Sequence, residues 1–284
     1  MISIIIPAYN EASVITRTLK SVAQALTAEP GEIIVVCNGC RDETFDIASS
    51  FGEQVRVFNI EQGSKIAALN LGDEQAQGFP RFFLDADIEL SPNALHDTSK
   101  VLREGRIHAA APRMKCNTAQ SSWMVRSFYR TWLDRPYHRL GHVGSGFVGI
   151  SEIGRSRFEQ FPNIIADDEF VRRQFTPQER AVIDSATFTI RAPHDVRSLI
   201  KVKTRARLGT LQLNATHPEL QMNAKAQAEN NRDSVHSANN ETSERNWIDK
   251  AAYGFVVLTS RYRARRQFAR AQFTTWERDE TSRQ

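Results

Sequence analysis

Along the first third of the chain, large apolar side chains come in short unbroken runs separated by amphipathic stretches. Residues 2–6 form one run, ended by Pro7, and Ile15, Leu19, Val22 and Leu26 then recur at helical spacing. The pattern repeats with an apolar run at 33–36 and Ile47, Ala48 and Phe51 after a polar turn. It repeats again with a run at 55–60 and a helix over 65–76, which places Ile66, Leu69 and Ala76 on one side. Phe82-Phe83-Leu84 is a fourth run and stops abruptly at Asp85. Runs without alternation belong to strands buried on both faces, and strands alternating with helices predict an α/β, mostly parallel sheet with helices on both faces. Such sheets bind ligands in the loops at the carboxyl ends of their strands.

Beyond Pro92 the period is mixed. Residues 94–102 and 123–133 read as helices, the second rich in aromatics, and 147–150 and 187–190 read as strands, an α+β region. Residues 214–246 are dominated by Asn, Gln, Ser, Glu and Ala and read as a polar linker. The expected division is a catalytic unit over 1–210, with halves at 1–91 and 92–210, a linker over 211–246 and a helical tail over 247–284. In that tail Trp247, Ile248, Ala251, Phe255, Leu258 and Tyr262 form a stripe at helical spacing, and Arg261, Arg263, Arg265, Arg266 and Arg270 crowd its end. A basic amphipathic helix of this kind suits an anionic membrane; it equally suits packing on the catalytic unit or on a second subunit.

A chain of 284 residues, 40% hydrophobic, is long enough for one large core with an appendage. A net charge of only +4 argues against a general nucleic-acid binder. Three cysteines, Cys37, Cys40 and Cys116, are too few and too uneven for a disulfide framework, which favours a reducing compartment. The opening residues lack a signal peptide's basic region, and no apolar stretch approaches the ~20 residues of a membrane span. The expected location is the cytoplasm, with the tail able to bring the protein to the inner face of the cell membrane.

Pro7-Ala8-Tyr9-Asn10-Glu11 follows the first strand and offers a ring, an amide and a carboxylate; the alternative is a turn in which Asn10 caps the next helix. Cys37-Asn38-Gly39-Cys40 occupies the loop after strand two, where Asn38 can pair with a base edge; the competing reading is a redox or zinc Cys-x-x-Cys pair. Gly63-Ser64-Lys65 opens the third helix, where amides and a lysine suit an anion, without Walker spacing. Asp85-Ala86-Asp87 is the sharpest feature: two carboxylates at a strand end repel unless a cation joins them, and a hard ion such as Mg²⁺ or Mn²⁺ suits oxygen ligands; a solvated acidic turn is the plainer reading. Asp167-Asp168-Glu169 opens a further helix, as a general base or simply as charge favoured at a helix N-terminus. Gly144-Ser145-Gly146 allows close backbone approach to a substrate, or merely a bend.

In this order the segments resemble family 2 of the inverting glycosyltransferases, which have a GT-A fold with an N-terminal strand ending in Pro-x-Tyr-Asn-Glu, an Asp-Gly-Ser-like loop, an Asp-x-Asp and a later Asp-Asp or Glu-Asp. The resemblance spans about residues 2–210. It implies that Pro7, Ala8, Tyr9, Glu11, Asn38, Lys65, Asp85 and Ala86 line the nucleotide, and that Asp87, with Asp85, holds a divalent Mg²⁺ or Mn²⁺. It implies that Asp168 deprotonates the acceptor hydroxyl, and that Gly144, Ser145, Gly146 and Asp167 line the sugar and acceptor. The expected donor is a nucleotide-diphosphate sugar, UDP first and GDP or dTDP next; Cys37-Asn38 stands where many members have two aspartates, which leaves the base open between uracil, guanine and thymine. The expected acceptor is a carbohydrate or a lipid-linked one, in cell-surface polysaccharide or glycolipid synthesis. The Gln-x-x-Arg-Trp of processive synthases is absent, which points to transfer of a single sugar, with Arg205 and Arg207 as diphosphate contacts and His194 as a possible third metal ligand. A sugar nucleotidyltransferase, whose Gly-rich signature is missing, and a catalytically silent nucleotide-sugar-binding protein are the rival readings.

Overall fold

The computed structural model describes residues 1–135, 138, 143–223, 247–271, 273 and 281–283. The first half runs β1 (Ile2–Ala8), α1 (Ile15–Leu26), β2 (Gly31–Asn38), α2 (Thr44–Ser49), β3 (Val55–Ile60), α3 (Lys65–Gln75) and β4 (Arg81–Leu84). It continues with β5 (Glu89–Leu90), α4 (Ala94–Arg103), β6 (Ala109–Asn117), α5 (Trp123–Leu133), β7 (Phe147–Ile150) and α6 (Glu152–Arg155). The described elements end with α7 (Asp167–Arg173), β8 (Arg180–Arg191), α8 (Val196–Thr216) and α9 (Trp247–Ala269).

The strands form one eight-stranded sheet in the order β3-β2-β1-β4-β7-β6-β8-β5. The first four pair in parallel, and β7 enters antiparallel between β4 and β6. Every residue of β1 is buried, as a strand covered on both sides requires. The chain steps outward from β1 to β2 to β3, then crosses back to β4 on the other side of β1. Right-handed crossovers therefore put α1 and α2 on one face and α3 on the other. Packing agrees: α1 meets α2 and α4, while α3 lies on β1 and β2. Gly72 lets α3 come close, because a Cβ there would sit 2.5 Å from Cγ2 of Ile5. Reversal of the strand order opens a crevice at the carboxyl ends of β1 and β4. Beyond it, Phe82, Phe147 and Phe188 carry the core from β4 through β7 to β8, with ring centroids 5.7 and 5.6 Å apart.

The C-terminal helices form a second layer. Val125, Phe128 and Tyr129 of α5, Leu199 and Ile200 of α8 and Val256 of α9 share a core, and Phe128 stacks on Tyr253 at 5.4 Å. Arg130 of α5 pairs with Asp249 of α9 at 2.7 Å. The tail helix thus packs on the chain, but not through the stripe that its sequence suggests. Its inward face is Asp249, Ala252, Val256, Ser260 and Ala264, whereas Trp247, Phe255, Leu258 and Tyr262 are 76, 52, 68 and 62% exposed. Small side chains on the inward face let the helix approach closely. Helix α8 runs unbroken through residue 210, where composition placed the end of the catalytic unit, and most of the expected linker, 224–246, lies outside the described residues.

Candidate functional site

The crevice deepens into a cavity of about 520 Å³ lined from both halves of the sheet. The loops after β1, β2 and β3 are stitched together on one side of it. The Asn10 amide takes a positive φ of 51° and reaches Sγ of Cys40 at 3.4 Å, its side-chain Oδ1 accepts from the Arg41 amide at 2.8 Å, and the Glu11 amide donates to Oγ1 of Thr44 at 2.7 Å. Asn10 therefore ties two loops together instead of capping α1. Asn38 donates from Nδ2 to the Ala8 carbonyl at 2.8 Å. Pro7, Tyr9, Glu11 and Asn38 line the cavity, whereas Ala8, expected beside them, is fully buried and does not: a strand buried on both faces keeps it in the sheet, where its carbonyl accepts from Asn38. Cys37 and Cys40 are free thiols; their mutual hydrogen bond raises Cys37 and lowers Cys40 to about 6. Ser64 caps α3 by accepting from the Ala67 amide at 3.2 Å.

Lys65, the first residue of α3, reaches across the floor to Asp85 at 2.7 Å and Asp167 at 2.8 Å. Burial presses its ammonium down, but the carboxylates of Asp167 and Asp85 more than offset this and hold its pKa well above the usual lysine value. Asp85 and Asp87 follow β4, and between them buried Ala86 accepts from Oγ1 of Thr18 at 2.7 Å through its carbonyl. The two carboxylates are an oxygen-only pair, suited to a hard divalent cation that completes its shell with phosphate and water. Among the described residues no group of three or more His, Cys, Asp or Glu side chains is gathered to hold an ion alone. Pro193 lines the cavity, but His194 does not: its amide donates to Thr281 and its carbonyl accepts from Ser122.

Gly144, Ser145 and Gly146 all take positive φ, 123, 60 and 101°. The segment is wedged between two carboxylates: a Cβ on Gly144 would sit 3.2 Å from Oδ2 of Asp168, and one on Gly146 3.3 Å from Oδ2 of Asp85. The Ser145 amide donates to Asp168 at 3.0 Å, and the Asp85 amide donates to the Gly146 carbonyl at 2.9 Å. Asp168 is thus aimed into the cavity from the start of α7. Burial, then neighbouring Asp167, push its pKa above the usual carboxylate range, only partly opposed by the Ser145 amide and Lys65. Glu169 next to it belongs to a different network, pairing with Arg172 and with Arg173 at 2.7 Å.

The opposite wall was not anticipated from sequence. Tyr129 and Trp132 of α5 and Lys203 of α8 line it, with the Lys203 ammonium 3.7 Å from the centre of the Trp132 ring. Burial lowers the Lys203 pKa to about 8. The aromatic richness of α5 was the available signal. Arg205 also lines the cavity. Arg207 does not; it is turned toward Arg261 and Arg265 of α9, because residues two apart on a helix point about 200° apart.

The sequence profile of glycosyl transferase family 2 matches residues 3–158, the segment that carries the first three loops, Lys65, the Asp85-Ala86-Asp87 turn and the Gly144–Gly146 loop. The chain belongs to this family. An uncharacterized glycosyltransferase of Rickettsia felis is 36% identical over 106 residues, covering 37% of this chain and 17% of that protein. Glycosyltransferase AglE of Haloferax volcanii is 39% identical over 92 residues, 30% of each chain. The matched stretch spans less than a third of the length of these curated relatives. The GT-A fold recurs in the mannosyltransferase PcManGT of Pyrobaculum calidifontis, solved with GDP-Man and Mn²⁺, at a TM-score of 0.64 and 17% identity over 94% of this chain and 86% of that one. Residues 1–349 of TarS from S. aureus, solved with UDP, give 0.56 and 15% over 96% and 93%.

Proposed function

We propose that the chain transfers one sugar from a nucleotide-diphosphate sugar to an acceptor hydroxyl with inversion at the anomeric carbon. The observation that carries this reading is the placing of Asp168 and Asp85 at the two ends of the Gly144–Gly146 segment in one cavity. Pro7, Tyr9, Glu11 and Asn38 receive the nucleoside, and Lys65 and Arg205 face the diphosphate. Asp168 accepts the proton of the attacking hydroxyl as its oxygen bonds to the anomeric carbon and the bond to the diphosphate breaks. The raised pKa of Asp168 strengthens it as a base at neutral pH. Asp87 with Asp85 would hold a Mg²⁺ or Mn²⁺ ion, which would supply positive charge for the departing diphosphate. Departure needs no general acid, so the second carboxylate of glycosidases has no counterpart.

A thermal-shift panel of UDP, GDP, dTDP and CDP, each with and without Mn²⁺, tests the reading on the wild-type chain and on Asp87→Ala. A ligand at about a hundred times its Kd adds ~2.7 kcal/mol of apparent stability. A metal-dependent shift with one diphosphate, absent in Asp87→Ala, supports transfer from that donor. A shift equal in both proteins and indifferent to metal would leave a nucleotide-binding protein without the proposed chemistry.

A further inference from the structure

Among the described residues, no element packs on the outward face of α9. Trp247, Phe255, Leu258 and Tyr262 lie there, each more than half exposed. At 100° per residue they fall within about 80° of arc, opposite the face packed on α5 and α8. Arg261, Arg265 and Arg266 are exposed beside this stripe. From α8, Arg207 comes up to Arg261 and Arg265; partial burial and then these two positive charges hold its guanidinium below the ordinary value. Among the described residues none of the three makes an ion pair with a carboxylate. Like charges gathered without an anion repel, and four large apolar side chains in one stripe exceed the scattered exposure of an ordinary surface. Trp and Tyr with arginine beside an apolar stripe is the make-up of a helix lying in a membrane interface. No described helix is long and apolar enough to cross a membrane.

We propose that the outward face of α9 docks on an anionic lipid surface. Phe255 and Leu258 enter the acyl boundary, Trp247 and Tyr262 sit at headgroup level, and Arg207, Arg261 and Arg265 grip lipid phosphates. The surface stands whatever reaction the cavity performs. If the cavity transfers sugar, α8 carries Arg205 at the cavity and Arg207 at α9, so α8 and α9 together stand between the site and the lipid face, about two helix diameters or ~20 Å.

Sedimentation of the full chain with vesicles of phosphatidylcholine alone, and of phosphatidylcholine mixed with phosphatidylglycerol, tests the proposal. Binding is expected to the mixed vesicles, weakening as salt rises. The double variant Arg261→Gln/Arg265→Gln should bind roughly 30-fold more weakly, and Phe255→Ser/Leu258→Ser should lose binding even at low salt. All four positions are exposed, so unchanged melting temperatures and nucleotide shifts will show that fold and cavity persist. Equal binding to neutral and anionic vesicles, or variants that bind as the wild type does, would overturn the proposal. So would a wild-type dimer in light scattering that Leu258→Ser converts to monomer, because a second copy would then cover the face.

Discussion

Lys65 stands 2.7 Å from Asp85, so an ammonium at the start of α3 holds the strand-end carboxylate, and its second contact, to Asp167 at 2.8 Å, ties that carboxylate to the helix bearing Asp168. Loops that are far apart in sequence are thereby fixed by one cation. Lys65→Met leaves two acidic groups facing each other without it. Loss of a fully buried partner costs about 3–5 kcal/mol. With Asp85 38% exposed, solvent screening brings the expected loss down to roughly 1–2 kcal/mol. Denaturant melts will measure it. The raised lysine pKa means that this stabilisation is fully present below the unfolded lysine value and disappears only as strongly alkaline pH passes the folded one.

Asp168→Asn should lower transfer by about 10²- to 10⁴-fold while nucleotide binding persists. In the wild type the rate should fall as acid protonates Asp168, at a pH above that of an ordinary aspartate, because its pKa is raised. The stability sign is the opposite. A carboxylate with a raised folded pKa favours the fold when protonated, and that contribution is lost as pH rises through the folded pKa. Asp168→Asn should therefore melt higher than wild type at neutral pH, and the difference should shrink in acid. A lower melting temperature at pH 7 would refute the burial account.

Gly146→Ala and Gly105→Ala separate backbone strain from crowding at the site. Both glycines have positive φ, 101 and 84°, but a Cβ on Gly105 meets nothing within 4 Å. Each change should cost about 1–2 kcal/mol through φ alone. Only Gly146→Ala, whose Cβ presses on Asp85 and Ile88, should also abolish transfer.

Chelation with EDTA should remove transfer, and added Mn²⁺ or Mg²⁺ should restore it in the wild type. In Asp87→Ala restoration should fail at equal ion concentration. Full activity of the EDTA-treated, metal-free enzyme would remove the ion from the mechanism.

Strands β1 to β4 were readable because burial on both faces leaves uninterrupted apolar runs. Strand β6 was not. It opens with three alanines and contains Pro112, which removes a donor and sits where the pairing with β8 shifts register. Only the end of β8 was visible, because its first half alternates irregularly between buried and exposed positions. Among the site residues, Pro7, Tyr9, Glu11, Asn38, Lys65, Asp85, Ala86, Asp87, Asp167, Asp168, Arg205 and the Gly144–Gly146 segment all reach the cavity, since motifs at strand ends are placed by the sheet. Ala8, His194 and Arg207 do not: Ala8 is buried in the sheet and His194 is held by Thr281 and Ser122. Arg207 turned away and Tyr129, Trp132 and Lys203 were missed because helix rotation decides such positions and sequence spacing does not report it. The tail misled for a related reason. The largest apolar residues formed a stripe that suited either a membrane or packing on the protein, whereas the face that packs is made of residues small enough to let two helices meet.

The bond from Asn38 to the Ala8 carbonyl also fixes which way an amide faces. A carbonyl can only accept, so Nδ2 must turn to Ala8, and the oxygen is the end of Asn38 left for a ligand. An oxygen welcomes a ring nitrogen that carries hydrogen, as uracil, thymine and guanine do. It repels the bare ring nitrogen of cytosine. In the proposed reading uracil, thymine and guanine would offer that oxygen a ring N–H, whereas cytosine would offer only its exocyclic amino group.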